Sequence, residues 1–321
     1  MVTVVAGLVA RSDDRPSCRL GPDLVPTCGA LIGLTAPAPT LADLERSEAA
    51  IGVRPGLVYS FHDMNDVIPS EYDKAVVARG QVLHIDIDAR DFTGSGESTV
   101  SWQAIAAGSY DQQLIAQARG VAGLGVRVFL TFDHEPDQPS RSALGTPTDF
   151  VAAWRHVHQV FESNGATNAV WVWVVMGLPQ TFASSLTFWP GNDVVDWISW
   201  EAYDQAGCRS GTTDPARYRS FADAVLGFYA YLHAHGAAAH IDVHKPMMIS
   251  EAGTVPLPGL GSPTRSWFDG APSLLRSHPQ IKALTLWDHT GAPGCDFRFA
   301  ANPAALPAVR TLMDGGVQPS S

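Results

Sequence analysis

Apolar residues in this chain fall into eight short runs that recur along most of its length. Each run is rich in Val, Ile, Leu or aromatic residues, with little polar alternation, which is typical of strands buried on both faces. The predicted strands cover residues 29–34, 56–61, 81–87, 128–132, 170–175, 194–200, 246–250 and 283–287.

The segments between these runs carry helical patterns. Phe150, Trp154, Val157 and Phe161 share one face of a helix predicted over 149–163. Further helices are predicted over 40–51, 72–78, 110–124 and 303–313, and another beginning at Asp214-Pro215. The predicted start signals are Thr40 as an N-cap, and Ser109 with Gln112 as a capping box.

Strand and helix therefore alternate eight times, which predicts an α/β protein with parallel strands and right-handed crossovers. Eight such units close a single (β/α)8 TIM barrel, whose active site lies at the C-terminal ends of the strands. A doubly wound open sheet is the alternative, but no Gly-rich phosphate loop follows the first strand.

Ionisable and aromatic residues collect at those strand ends. Buried charges at a strand end are costly unless they are paired or used. The residues are His62, Asp63, Asp86, Asp88, Asp133, His134, Glu135, Glu201, Tyr203, Glu251, Trp287, Asp288 and His289. Neither a nucleophile-elbow serine nor a catalytic-cysteine context accompanies them in the sequence.

Glu135 and Glu251 end the fourth and seventh predicted strands, which lie on opposite sides of an eight-stranded barrel. We therefore expect the two carboxylates to face each other across its mouth. Retaining glycosidases use such a pair, about 5–5.5 Å apart, as acid/base and nucleophile. Either glutamate alone could instead be a salt-bridged strand end.

Several motifs resemble glycoside hydrolase family 26, the β-mannanase family. His134-Glu135 is similar to the family's acid/base signature, and Ile249-Ser250-Glu251-Ala252-Gly253 to its nucleophile strand. The stretches 105–111, 189–198 and 302–306 extend the likeness over most of the chain, from about Cys28 to Leu312.

This resemblance implies a clan-A barrel with Glu135 as acid/base and Glu251 as nucleophile. It also implies that His134 hydrogen-bonds in the −1 subsite, that Tyr203 orients Glu251 and that Trp287 is a sugar platform. We further expect the cleft to be lined by His62, Asp86, Asp88, Glu201 and Trp102.

The chain also departs from the family pattern. His134-Glu135-Pro136-Asp137 stands where the family's mannanases have His-Glu-Met-Asn, Ala202-Tyr203-Asp204 replaces Gly-Tyr-Asn, and Ala252 replaces the common Phe. We therefore predict a retaining endo-β-glycosidase with a β-mannan-type polysaccharide or oligosaccharide as substrate, that is, an endo-1,4-β-mannosidase. A β-1,3-xylan or a mixed-linkage β-glucan is the alternative substrate, and a barrel that binds glycans without cleaving them is the alternative function.

Net charge and residue spacing exclude several classes of binding partner. A net charge of −11 argues against nucleic acid and anionic membranes, and no apolar run reaches the ~20 residues of a membrane span. The histidine pairs lack metal-site spacing, and the acidic stretch after the third strand lacks the glycine of a calcium loop, so neither metal nor cofactor is expected. We expect a monomer.

Cys18, Cys28, Cys208 and Cys295 lie near Gly and Pro without a Cys-x-x-Cys spacing. Two disulfides are therefore predicted, although the sequence leaves three pairings open. Disulfides favour a secreted, extracellular protein. Residues 1–27 are predicted as an N-terminal segment that starts with a candidate export-signal remnant, 28–315 as the catalytic domain and 316–321 as a tail.

Overall fold

Eight parallel strands close into a barrel in the computed structural model, which describes residues 18–91, 98–208, 218–256, 263–291 and 294–319. The strands are β1 Leu31–Thr35, β2 Leu57–Asp63, β3 Val82–Asp88, β4 Val128–Phe132, β5 Ala169–Val175, β6 Trp197–Asp204, β7 Met247–Thr254 and β8 Ile281–Trp287. The predicted (β/α)8 barrel is confirmed.

Helices occupy the connections between the strands. They are α1 Leu41–Ile51, α2 Glu71–Ala78, α3 Trp102–Ala106, α4 Asp111–Gly123, α5 Pro147–Ser163, α6 Phe182–Ser185, α7 Phe221–His235, α8 Pro263–Asp269, α9 Ala271–Ser277 and α10 Leu306–Asp314. Short 3₁₀ turns and a two-residue antiparallel ladder, Arg90–Asp91 with Ser98–Thr99, complete the described structure. None of the described helices is long and apolar enough to cross a membrane.

Each strand pairs with its neighbours in the sequence, and β1 pairs with β8 to close the barrel. The closing register joins Leu31 to Ala283 and Thr35 to Trp287. Since all the pairs are parallel, the residues that end each strand lie at one mouth.

The opposite end of the barrel, its floor, is apolar. Leu31, Leu57, Val82, Phe129 and Trp197 point inward there and are at most 6% exposed. A second, larger apolar cluster lies between the strands and the helices that surround them. A (β/α)8 barrel is thus packed on both faces of its sheet, as the apolar runs predicted.

Segments before β1 and after α10 cover this floor. Leu24 and Val317 are 6% and 5% exposed, and the Trp197 indole donates a hydrogen bond to the Asp23 carbonyl at 2.8 Å. Cys18 and Cys28 form a disulfide beside them. Residues 18–27 and 316–319 therefore pack on the barrel, although they lie outside the predicted catalytic domain.

The predicted start of α1 is confirmed, whereas that of α4 is not. Thr40 caps α1 as predicted, and accepts a hydrogen bond from the Asp43 N–H. The predicted Ser109 capping box is wrong: Tyr110 is the N-cap of α4, because the Ser109 N–H already bonds Ala104 O at the end of α3. The predicted start at Asp214-Pro215 lies outside the described residues, and α7 begins after Ser220.

Candidate active site

A cavity of about 610 Å³ opens at the C-terminal ends of the strands. It is lined by residues from the ends of β4 to β8 and from the loops that follow the strands: Arg90, His134, Glu135, Gln138, Met176, Leu178, Glu201, Tyr203, Gln205, Glu251, Trp287, Gly291 and Phe297. Three carboxyl groups, three aromatic rings and a histidine therefore share one concave surface.

The chain leaves β4 in an unusual backbone conformation. Asp133 and Glu135 have φ values of 49° and 51°, in the left-handed region that costs a non-glycine residue about 1–3 kcal/mol. Hydrogen bonds to both neighbouring strands hold this turn, from Asp133 N–H to Ile87 O at 2.9 Å and from Glu135 N–H to Val174 O at 3.1 Å. The strained turn directs Glu135 into the cavity, where the Gln138 amide donates to its Oε2 at 2.9 Å.

Glu251 lies within β7 and is 5% exposed. The Tyr203 hydroxyl, on the adjacent strand β6, donates a hydrogen bond to Glu251 Oε2 at 2.5 Å. Burial, together with the nearby Glu135 charge, raises the pKa of Glu251 to about 8, although the His134 charge and the Tyr203 hydroxyl act to lower it. The carboxylate is thus fixed in direction, and two neighbours favour its ionised form.

Glu201 is a third carboxyl group, placed beside Glu251 by a shift in register between β6 and β7. Burial raises the pKa of Glu201 well above its usual range, and the Glu135 and Glu251 charges, together with a hydrogen bond to Glu135, act in the same direction. Burial and these charges therefore favour the protonated form of Glu201, which is hydrogen-bonded to Glu135.

His134 is held by two aspartates from β3. Its Nδ1 donates to Asp86 Oδ2 at 2.6 Å and lies 3.4 Å from Asp88 Oδ1. Burial alone would lower the pKa of His134, but the Asp86 and Asp88 charges raise it well above its usual range. Asp86 and Asp88 therefore favour the protonated form of His134.

Behind His134, Arg141 anchors the end of β4. Its guanidinium donates to Asp88 Oδ1 at 2.8 Å and to Asp133 Oδ1 at 2.9 Å. Asp133 also accepts from the Ala89 N–H at 3.0 Å and from the Trp102 indole at 2.5 Å. Asp133 is thus a structural carboxylate that secures the strained turn carrying Glu135.

Two groups of described residues have ligand atoms close enough to hold a metal ion: Asp86, Asp88 and His134, and His134, Glu201 and Glu251, each within 4.8 Å. In the first group, the Arg141 guanidinium pairs with Asp88 and His134 Nδ1 with Asp86. His134 is common to both groups, and in the second group Glu201 Oε1 and Glu251 Oε1 are buried without a hydrogen-bond partner.

An aromatic wall closes the side of the cavity opposite Glu135. Trp287, at the end of β8, packs edge-on against Phe61 with ring centroids 5.6 Å apart. Tyr203 packs against Phe297 at 4.8 Å. A disulfide joins Cys208 to Cys295 beside these rings, so the pairing left open by the sequence is Cys18–Cys28 and Cys208–Cys295.

Four of the residues predicted to contact substrate do not line the cavity. Trp102 is fully buried against Phe150 and Phe188, with its indole on Asp133, so it is a core residue and not a sugar platform. Asp86 and Asp88 lie behind His134 and orient it.

His62 also lies outside the cavity. Its Nε2 is 2.9 Å from Asp73 Oδ2 on α2, and its Nδ1 is 3.4 Å from Asp66 Oδ2. These carboxylates raise its pKa to about 9 against the opposing effect of burial. His62 therefore forms an ion pair between strand and helix, and its predicted contact with substrate is not supported.

Several residues of the site were not predicted from the sequence. They lie in loops or a short 3₁₀ turn with irregular patterns, so periodicity gave no signal for them: Gln138, Arg141, Met176 and Phe297. Arg141 could have been suspected, because a buried carboxylate such as Asp133 requires a cationic or hydrogen-bonding partner.

No family model matches the chain. Endoglucanase H from Acetivibrio thermocellus is 27% identical over 255 residues, which cover 76% of this chain and 26% of that protein. A β-1,3-xylanase from a Vibrio species is 31% identical over 108 residues, covering 33% of this chain and 23% of that protein. The matched segments thus span about a quarter of the length of these curated relatives.

Solved structures with the same fold include endo-β-1,4-mannanases of glycoside hydrolase family 26. The catalytic domain of one from a Bacillus species superposes with a TM-score of 0.63 at 13% identity, covering 90% of this chain and 87% of that one. A modular enzyme from Cellulomonas fimi gives 0.61 at 16% identity, covering 88% and 70%. The predicted resemblance to the family is thereby confirmed in the fold.

Proposed function

We propose that this chain is a retaining endo-β-glycosidase of the family 26 type, with Glu135 as acid/base and Glu251 as nucleophile. The observation that carries the proposal is the shared cavity in which Glu135, Glu201 and Glu251 lie, with Tyr203 bonded to Glu251. A purely structural cluster of carboxylates would be paired with cations on every side.

In the first step, the Glu251 carboxylate attacks the anomeric carbon while a proton passes from Glu135 to the glycosidic oxygen, so that the leaving sugar departs as an alcohol. The Gln138 amide holds the Glu135 carboxyl group in the cavity, and Glu201 lies within hydrogen-bonding distance of it. His134 and Tyr203 stabilise the ionised form of Glu251 until it bonds to the sugar.

In the second step, Glu135 accepts a proton from water, which attacks the same carbon and releases Glu251. The sugar thus leaves with the anomeric configuration it had in the substrate. Trp287 offers an apolar face on which a sugar ring can stack.

A β-1,4-mannan is the first candidate substrate, because the structural neighbours of known activity include β-mannanases. A mixed-linkage β-glucan or β-1,3-xylan is the second. It is favoured by the sequence relatives, an endoglucanase and a β-1,3-xylanase, and by the departures at Pro136, Asp137 and Ala252.

Release of reducing ends from mannan, mixed-linkage β-glucan, β-1,3-xylan and cellulose tests the proposal. Cleavage of one of them, with retained anomeric configuration in early NMR spectra, is the expected result. Binding without cleavage of any of them would favour the non-catalytic barrel, and inverted products would contradict the mechanism. The two disulfides support secretion as its setting.

A further inference from the structure

The cavity wall around Phe297 is closely packed and apolar. Cys208, Val255, Cys295 and Phe297, here called the rim cluster, form a separate small core in which each residue is at most 5% exposed. Tyr203 and Trp287 pack against it. A buried apolar core with its own disulfide is unexpected at the open mouth of a barrel, where loops are usually mobile.

Glycines on both sides let the Phe297 ring approach the sheet closely. A Cβ at Gly253, two residues after Glu251, would lie 2.9 Å from Phe297 Cδ1 and 3.3 Å from Tyr203 Cε1. A Cβ at Gly291 would lie 2.8 Å from Phe297 Cε2. The ring therefore occupies a slot between the loop after β8 and the end of β7, and leaves little room for Tyr203 to move.

The loop that carries Phe297 is fastened at several points. The Phe297 N–H donates to His289 O at 3.2 Å and the Gly291 N–H to Cys295 O at 3.0 Å. The Cys208–Cys295 bridge then ties this loop to the one after β6, the strand that carries Tyr203. A covalent connection thus runs from the end of β6 through Cys208 and Cys295 to Phe297, which packs back on Tyr203.

We propose that Phe297, held by the Cys208–Cys295 bridge, is a positioning residue that fixes the Tyr203 hydroxyl against the Glu251 carboxylate. The inference rests on the proposed function, in that it gives the Tyr203–Glu251 hydrogen bond a role in nucleophilic attack. An error of 1 Å in the position of a reacting group can cost a factor of about 100 in rate. The rim cluster thereby serves the reaction through Tyr203, in addition to lining the cavity.

The chain provides a matched control, because its second disulfide lies at the other end of the barrel. We would compare Cys208→Ala/Cys295→Ala with Cys18→Ala/Cys28→Ala, each in the native and the Tyr203→Phe background. The first pair should lower kcat about tenfold with little change in KM. The second pair should lower thermal stability and leave kcat unchanged.

The Tyr203→Phe background separates positioning from general loosening. Once the hydroxyl is absent, removing the rim bridge should cause no further loss of kcat, since nothing remains to be positioned. An additive loss in both backgrounds, or a rise in KM alone, would overturn the inference. Phe297→Leu, which retains the bridge, should cause a smaller loss of kcat that again depends on Tyr203. This variant tests the inference if the bridge variant does not fold.

A second measurement does not depend on catalysis. Titration of the Glu251 carboxyl by NMR in protein labelled with [δ-¹³C]Glu, assigned by its absence in Glu251→Gln, reports the Tyr203 hydrogen bond directly. Because that bond lowers the Glu251 pKa, opening the rim bridge should raise it, and only when Tyr203 is present. If no glycan is cleaved but this coupling holds, the proposed function fails and the positioning role stands. If glycans are cleaved and the coupling is absent, the positioning role is wrong.

Discussion

The two ends of this barrel differ in the side chains that the strands place there, apolar at the floor and ionisable at the mouth. At the floor, alternate residues such as Leu31, Leu57 and Trp197 fill the interior with apolar side chains. At the mouth, β3, β6 and β7 carry Asp86, Glu201 and Glu251, which are buried carboxyl groups whose pKa values are raised by burial. The floor therefore contributes stability through packing, whereas the mouth retains unfavourable charge and strained backbone that only a function explains.

The largest expected effect is at the mouth. Glu251→Ala should lower kcat at least about 10⁴-fold, because the covalent intermediate loses its nucleophile. The melting temperature should stay the same or rise, since a buried carboxyl with a raised pKa is removed. Rates on the cleaved glycan and thermal melts test both parts. Hydrolysis that survives the substitution would contradict the assignment.

Glu135→Gln should separate the roles of the two carboxyl groups. Cleavage of the polysaccharide should fall about 10³-fold, because its leaving group needs a proton, whereas formation of the intermediate from an activated aryl glycoside should be largely retained. Parallel assays of both substrates measure the difference. Equal losses on the two would count against Glu135 as the acid.

Trp197→Ala should show the reverse pattern at the floor. Loss of the indole, which packs on Phe129 with ring centroids 5.0 Å apart, should lower the free energy of unfolding by about 3–5 kcal/mol. The kcat of the molecules that remain folded should be unchanged. Denaturant titration measures the first quantity, with Trp197→Phe as the milder control. A selective loss of kcat would mean that the two ends are not independent.

The smallest expected effect is a change in pH dependence. Asp86→Asn removes a charge that raises the His134 pKa, so His134 should lose its proton at a lower pH. The His134 charge lowers the Glu251 pKa more than the Asp86 charge raises it, so where His134 is neutral in the variant the Glu251 pKa is higher. Activity requires ionised Glu251 and therefore rises with pH through this pKa. The acid limb of kcat/KM should thus move up by about one pH unit.

Asp73→Asn is the matched control for that shift, because Asp73 pairs with His62 in a similar His–Asp contact outside the cavity. It should weaken the folded state and leave the acid limb where it is. A shift of the limb in this control, or none in Asp86→Asn, would show that His134 does not tune Glu251.

Much of the barrel, and the placement of the two proposed catalytic carboxyl groups, was predictable from the sequence alone. A strand of a parallel sheet is buried on both faces and therefore appears in the sequence as a short apolar run. In a barrel, the residues that follow each run lie at the mouth. Glu135, Glu201, Tyr203 and Glu251 were identified in this way, and all four line the cavity.

Only the tertiary structure decided which side chains meet. His62 ends a predicted strand and Trp102 follows another, yet His62 pairs with Asp73 on a helix and Trp102 bonds to Asp133 after β4, both outside the cavity. The disulfide pairing, the raised pKa of His134 and the place of Phe297 likewise depend on residues distant in the sequence. Hydrophobic periodicity records the burial of each residue separately, whereas charge and contact are properties of pairs that folding brings together.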